Sequence, residues 1–262
     1  MLELYQFELS QYSEKVRLIL DYKGLEYRKI EVTPGVGQLE LMQLSGQRRV
    51  PVLKDGDVVV SDSTEIAFYL ERKYPEPALL PDSPRDRGLC LLIEEWADES
   101  IGLKARQALV GAFNKNENFR TSVLPAETPD FLKTLVGALP GDVLDILGAG
   151  VGFGGEAVKA AQNSLKQDLE ALCLMLQDSP YLIGDRPTLA DLTVAGLSIL
   201  LKFPDGNYLD IPPALKGKGI PGLADSSFFE PFFIWRDRLY RDFRKTGTSS
   251  STSGEPTTID ID

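Results

Sequence analysis

The spacing of apolar residues changes period once between Leu4 and Gly24. Leu4, Tyr5, Gln6 and Phe7 carry strand-forming side chains, whereas Val16, Leu18, Ile19, Leu20 and Tyr22 recur with helical spacing. Gly24 then closes the helix, as a left-handed C-terminal residue would. Ser10, Gln11, Tyr12 and Ser13 fall at the joint between strand and helix. The unpaired N–H groups of the helix's first turn therefore face whatever sits beside Ser10, which makes a place to hold an anion.

Leu25 to Val32 reads as a second strand, and after the break at Thr33 to Gly37 a short helix is expected from Gln38 to Leu44, closed by Ser45-Gly46. Two further apolar runs, Val50 to Lys54 and Asp57 to Ser61, meet at Asp55-Gly56 and predict a hairpin. Pro51 cannot donate to a ladder, so it belongs at the start of its strand, and the Val50-Pro51 bond is a candidate for the cis form. A cis bond would turn the Val50 backbone outward, where its N–H and C=O could pair with an extended peptide-like ligand. The apolar positions 66, 67, 69 and 70 then make one face of a helix over 64–73, with Asp62 or Ser63 as its N-cap.

Beyond the prolines at 77, 81 and 84 the pattern becomes helical throughout. One long helix is expected from Arg85 through Leu91, Leu92, Trp96 and Leu103 towards Phe113, a second from Glu156 to about Leu176, and a last one from Phe228 to Phe243. Between 184 and 201, Thr188 caps another helix with Asp191 three residues on, an acidic form of the capping box. Residues 116–155 fit least well. They hold Pro125, Pro129 and Pro140, and Gly150, Gly152 and Gly155 formally match G-x-G-x-x-G. No βαβ unit or ribose-binding acid stands in register with those glycines, so a dinucleotide site is not expected. The stretch reads instead as an insert that covers a cleft or meets a partner. The Ser/Thr-rich tail 245–262 carries too little apolar surface to fold and is expected to be disordered.

Composition narrows the chemistry. The 262 residues are 43% hydrophobic, enough for one or two ordinary cores, and 28 basic against 39 acidic side chains give a formal charge of −11. That sign disfavours nucleic-acid partners and anionic membrane surfaces. No apolar run demands a membrane span, and Met1-Leu2-Glu3-Leu4 has no basic n-region, so a cytoplasmic protein is expected. Cys90 and Cys173 make neither a disulfide framework nor a metal-ligand spacing and read as buried thiols. The chain has no histidine, which excludes Ser-His-Asp and Cys-His hydrolysis and any His-ligated zinc.

The order β-α-β-α-β-β-α within about 75 residues, with the Ser-x-x-Ser turn, the Val-Pro strand start and the acidic-Ser helix cap, resembles the thioredoxin-like domain of glutathione transferases. The pattern Gly-x-x-x-Thr-x-Ala-Asp at 184–191 resembles a buried helix of that family's second domain, in which Thr and Asp serve folding. The resemblance implies an α/β thioredoxin-like domain with a mixed four-stranded sheet over 1–80, a linker at 81–85, and an all-α domain over 86–244 with the insert 116–155. It implies that Ser10 meets the glutathione sulfur, that Val50 beside Pro51 pairs with the cysteinyl unit, and that Asp62 and Ser63 hold the γ-glutamyl group. Arg49, or else Gln47 or Arg48, would lie near the glycine carboxylate. Tyr12 and Ser13 are secondary candidates for the thiol. Tyrosine-type members place their Tyr on the first strand; here that slot is Gln6, and Tyr5 belongs to the opposite sheet face.

On this resemblance the expected chemistry is ionisation of glutathione against Ser10 and attack on a hydrophobic electrophile. A serine in this place cannot form a mixed disulfide, which favours conjugation or isomerisation over thiol exchange. Glutathione is the co-substrate, no metal or other cofactor is required, and a homodimer is the family's usual state. The competing reading is a transferase-like module that binds a ligand or protein without turnover.

Overall fold

The computed structural model describes residues 1–33, 36–115 and 155–246. The first unit is built from β1 (Leu2–Gln6), α1 (Gln11–Tyr22), β2 (Tyr27–Glu31), α2 (Val36–Ser45), β3 (Val52–Asp55), β4 (Val58–Ser61) and α3 (Ser63–Lys73). The four strands form one mixed sheet in the order β2-β1-β3-β4. β1 and β2 run parallel, with Leu4 opposite Lys29, whereas β3 pairs antiparallel with both β1 and β4. The alternation of side chains divides the sheet's residues between two layers. Leu2, Leu4 and Leu53 join the main core with α1 and α3, while Tyr5 and Val52 pack with Val32 and Leu41 on the α2 side.

The second unit is helical among the described residues: α4 (Pro84–Ala97), a π-helical turn (Asp98–Gly102), α5 (Leu103–Lys115), α6 (Gly155–Met175), α7 (Leu189–Leu197) and α8 (Glu230–Phe243), with single 3-10 turns at Ser198–Leu200 and Pro213–Leu215. The helix expected from 85 to 113 is present as one unbroken helical run from Pro84 to Lys115, in which α4 and α5 are joined through the π-helical turn and Ala97, Asp98 and Leu103 all keep right-handed helical backbone. The π-helical turn lies where Asp98, Ser100 and Gly102 make contacts with other elements. Residues 116–154, with most of the glycine motif, and the tail from 247 lie outside the described residues, as do Pro34 and Gly35.

α1 sits between the sheet and the helical unit, and this placement organises the molecule. Its C-terminus closes as the sequence predicts: Gly24 has φ +67°, its N–H donates to the Asp21 carbonyl, and the Leu25 N–H donates to Leu20, the paired bonds of a Schellman motif. One continuous apolar core runs from Leu4 and Leu18 through Leu192 and Val194 to Phe232 and Leu239. The two units thus share a core across their boundary, and α7 approaches α1 so closely that a Cβ on Gly196 would lie 2.6 Å from Lys15 Cα.

α7 begins at the expected capping box. The Thr188 N–H and hydroxyl both donate to Asp191 Oδ2, at 2.9 and 2.7 Å, and the Leu182 N–H donates to Oδ1. Both residues are buried, in keeping with a folding role. Cys90 is fully buried as expected, but Cys173 is only half-buried. It lies in an apolar groove between α6 and α8, where Leu174 and Ile234 are also left exposed.

Candidate functional site

Ser10 is the N-cap of α1. Its backbone is extended, with φ −76° and ψ 113°, and its hydroxyl oxygen accepts the Ser13 N–H at 3.2 Å. A serine hydroxyl carries one donor and two lone pairs, so this cap uses a lone pair and leaves the proton to be donated elsewhere. Capping and donation to a sulfur are therefore compatible in one residue. Ser10 is half-buried in the turn between β1 and α1.

The secondary candidates are placed differently. Ser13 contributes its backbone N–H to that cap, while its own side chain is fully buried and its Oγ has no partner. Tyr12 turns towards the helical unit, and its hydroxyl donates to the Asp98 carbonyl at 3.1 Å. Burial, reinforced by the Asp98 charge, pushes its phenol up to about 12. Tyr12 is thus committed to the boundary between units and stays neutral. Gln6, in the strand position of tyrosine-type members, is buried and bonds Glu8, Glu31 and Arg17. Tyr5 faces the α2 side, as alternation along β1 requires.

The Val50-Pro51 bond is cis. Val50 stands two residues before Val52, where β3 begins to pair with β1 and β4. Pro51 is buried and Val50 half-buried, while Arg48 and Arg49 are exposed just before them; Gln47 is held by Ser45, whose hydroxyl bonds its C=O and N–H.

Asp62 carries the clearest backbone signal. Its φ of +78° with ψ of 134° is the one positive φ outside glycine among the described residues. Holding a non-glycine residue there costs on the order of 1–3 kcal/mol, a strain found chiefly at functional sites. The side chain caps α3, Oδ1 accepting the N–H groups of Thr64 at 2.9 Å and Glu65 at 3.3 Å. Both bonds fall on one oxygen, so the cap does not require the other. Ser63 follows as the first residue of α3 and is buried.

Sequence reading missed the charged layer behind these caps. Lys15 is fully buried on α1, and its ammonium meets Thr64 Oγ1 at 3.1 Å, Glu94 at 2.5 Å and the Asp98 carboxylate at 2.8 Å. Deeper in the molecule, Glu14 binds Arg17 and Arg244, and Arg244 also binds Asp21. Burial alone would push the Glu14 carboxyl up, but the Arg244 and Arg17 guanidiniums overcome it and hold the group at about 2. The one sequence signal for the π-helical turn is Gly102 within a helical run: a Cβ there would lie 2.6 Å from the Tyr12 hydroxyl.

Two family models match the chain, the glutathione S-transferase N-terminal domain over residues 4–78 and the glutathione S-transferase C-terminal domain over 128–217, together more than half of it. The chain belongs to the glutathione S-transferase family. The second match enters the stretch 116–155 at residue 128, so much of what the sequence sets apart as an insert lies within the span of the family's helical domain. Among relatives, glutathione S-transferase 1 of Dianthus caryophyllus is 41% identical over 91 residues, which are 34% of this chain and 41% of the relative. A stringent starvation protein A homolog of Pasteurella multocida is 33% identical over 93 residues, 36% of this chain and 44% of the relative. The matches thus span less than half the length of these relatives. The structure of Beta-etherase LigF from Sphingobium sp. strain SYK-6 superposes with a TM-score of 0.66 at 23% identity, covering 91% of this chain and 94% of that one, and so supports the fold. Among the described residues no helix is long and apolar enough to cross a membrane.

Proposed function

We propose that this chain is a glutathione transferase of the serine type. Ser10 donates its hydroxyl proton to the glutathione sulfur, Val50 pairs with the cysteinyl backbone, Asp62 and Ser63 hold the γ-glutamyl group, and Arg49 meets the glycine carboxylate. The thiolate attacks a hydrophobic electrophile, with no metal or further cofactor, in a homodimer of the kind usual in the family.

The observation that carries the reading is the Ser10 hydroxyl, which accepts the Ser13 N–H and keeps its own proton at the N-terminus of α1. A free cysteinyl thiol has a pKa of about 8.5, so only a few per cent is thiolate at neutral pH. One hydrogen bond from a hydroxyl, added to the positive end of a helix, is enough to lower that value by one or two units. The test is the ultraviolet thiolate absorbance of bound glutathione against pH, in the wild type and in Ser10→Ala. A bound thiol that titrates at least one unit below free glutathione, and returns towards it in the variant, supports the mechanism. An unshifted thiol in the wild type refutes it.

A second reading is a transferase-like chain that recognises a ligand or partner without turnover. It rests on the similarity to a stringent starvation protein A homolog, a relative not named as a transferase. Glutathione binding without measurable thiol ionisation would favour it.

A further inference from the structure

Lys15 is one of the buried ionisable groups that the Ser10 mechanism leaves unused. Its side chain is fully buried, and taking an ammonium out of water costs several kcal/mol unless every donor is matched. Here the matching is complete. An ammonium has three N–H donors, and it meets three groups: Thr64 Oγ1 on α3, Glu94 on α4 and Asp98 on the π-helical turn. The Thr64 hydroxyl in turn lies 2.7 Å from Glu94 and 3.0 Å from Asp98. No donor is left over for a ligand, so Lys15 does not bind substrate itself.

What the ammonium joins is informative. Lys15 lies on α1 five residues after Ser10, while Thr64 lies on α3 two residues after Asp62 and gives its N–H to the Asp62 carboxylate. Asp98 belongs to the turn that also takes the Tyr12 hydroxyl on its carbonyl, and the Gln11 side chain bonds Gly102 at 2.9 Å. The same helical-unit turn therefore grips the first turns of both helices that flank the candidate thiol and γ-glutamyl positions. An apolar side chain in place of Lys15 could fill the space but could not hold three polar groups in one arrangement.

We propose that Lys15 is a positioning residue, which fixes the N-terminus of α1 relative to the N-terminus of α3 by gathering Thr64, Glu94 and Asp98 around one ammonium. The inference rests on the glutathione reading above, because its consequence is the spacing between the sulfur and γ-glutamyl anchors. Lys15→Met leaves Glu94 and Asp98 facing each other without a cation. Adding Glu94→Gln restores the cluster's net charge but not its three-way grip.

The test is the equilibrium dissociation constant for glutathione by calorimetry, with Tm recorded on each variant. Lys15→Met is expected to lower Tm and weaken glutathione at least fivefold. Lys15→Met with Glu94→Gln should recover Tm while binding stays at least fivefold weak, an outcome that a purely stabilising lysine would not give. Lys15→Arg should recover part of the binding. Thr64→Val, which leaves every charge in place, should fold and weaken binding several-fold, and it decides the matter if the lysine variants do not fold. Binding within twofold of the wild type in the folded variants overturns the proposal. If the wild type itself fails to bind millimolar glutathione, the transferase reading falls, and this inference with it.

Discussion

At the scale of single residues, Asp62 separates two effects that a cap ordinarily confounds. The residue stores backbone strain at φ +78° and also supplies the acceptor for Thr64 and Glu65. Asp62→Ala keeps the strain and loses the cap, at a cost of about 1 kcal/mol. Asp62→Gly loses the cap at a cost of only a few tenths and relieves a strain of about 1–3 kcal/mol, offset by about 0.5–1 kcal/mol of glycine entropy. The glycine variant should therefore be the more stable of the two by roughly 1 kcal/mol or more in urea unfolding, although both lose the carboxylate and should bind glutathione at least tenfold more weakly. An alanine variant as stable as the glycine variant would show that the Asp62 backbone carries no strain.

Much at this scale was legible from the chain. Ser10, the cis Val50-Pro51 bond and the caps at Asp62 and Thr188 each leave a local signature, because a cap, a proline or a turn is decided by its neighbours in sequence. The burial of Glu14, Lys15 and Arg17 left none. A charged side chain gives the same hydropathy pattern whether it faces water or a partner from residue 94 or 244. Tyr12 was ambiguous for the same reason, since its hydroxyl partner is 86 residues away.

At the scale of elements, the helix expected across 85–113 widens into a π-helical turn where α1 packs on it. Single π-helical turns mark places where outside contacts override helical regularity, often near functional sites. Here Gly102 admits the Tyr12 ring, and the Ser100 hydroxyl donates to Asp168 of α6 at 2.6 Å. Gly102→Ala would place a methyl group against the Tyr12 hydroxyl and should destabilise the protein by about 1–3 kcal/mol through overpacking. Because that contact is with the flexible end of a side chain, Tyr12→Phe should recover part of the loss, giving a coupling of about 0.5–3 kcal/mol in a double-mutant cycle. Gly196→Ala offers a contrast. Its methyl would meet the Lys15 backbone, N at 2.8 Å and Cα at 2.6 Å, so no side-chain change on α1 can make room. It should be the more damaging substitution in chemical unfolding, and rescue by any variant of Lys15 would contradict the closeness of the two helices.

At the scale of the whole molecule, the Glu14–Arg244 pair ties the end of α8 to α1, and its contribution should be visible in the dependence of stability on pH. Because the chain has no histidine, no imidazole titration overlies the carboxylates. Glu14 is held at about 2, below its ordinary 4.5. A depressed carboxyl contributes stability that is fully present above pH 4.5 and is lost as pH falls towards 2, here about 3 kcal/mol. Asp191 has the opposite sign. Burial raises it to about 6 from 3.8, so its contribution declines as pH rises from 3.8 to 6. Unfolding free energies in urea should therefore peak near pH 4–5 if these two groups dominate. Glu14→Gln should lower stability by about 3–5 kcal/mol at pH 7, because Arg17 and Arg244 lose their shared anion. The same substitution should flatten the acid limb between pH 4.5 and 2, whereas Asp191→Asn should flatten the decline between 3.8 and 6. A Glu14→Gln variant that keeps the wild-type acid limb would assign that limb to other carboxylates and leave the link between α1 and α8 without its electrostatic role.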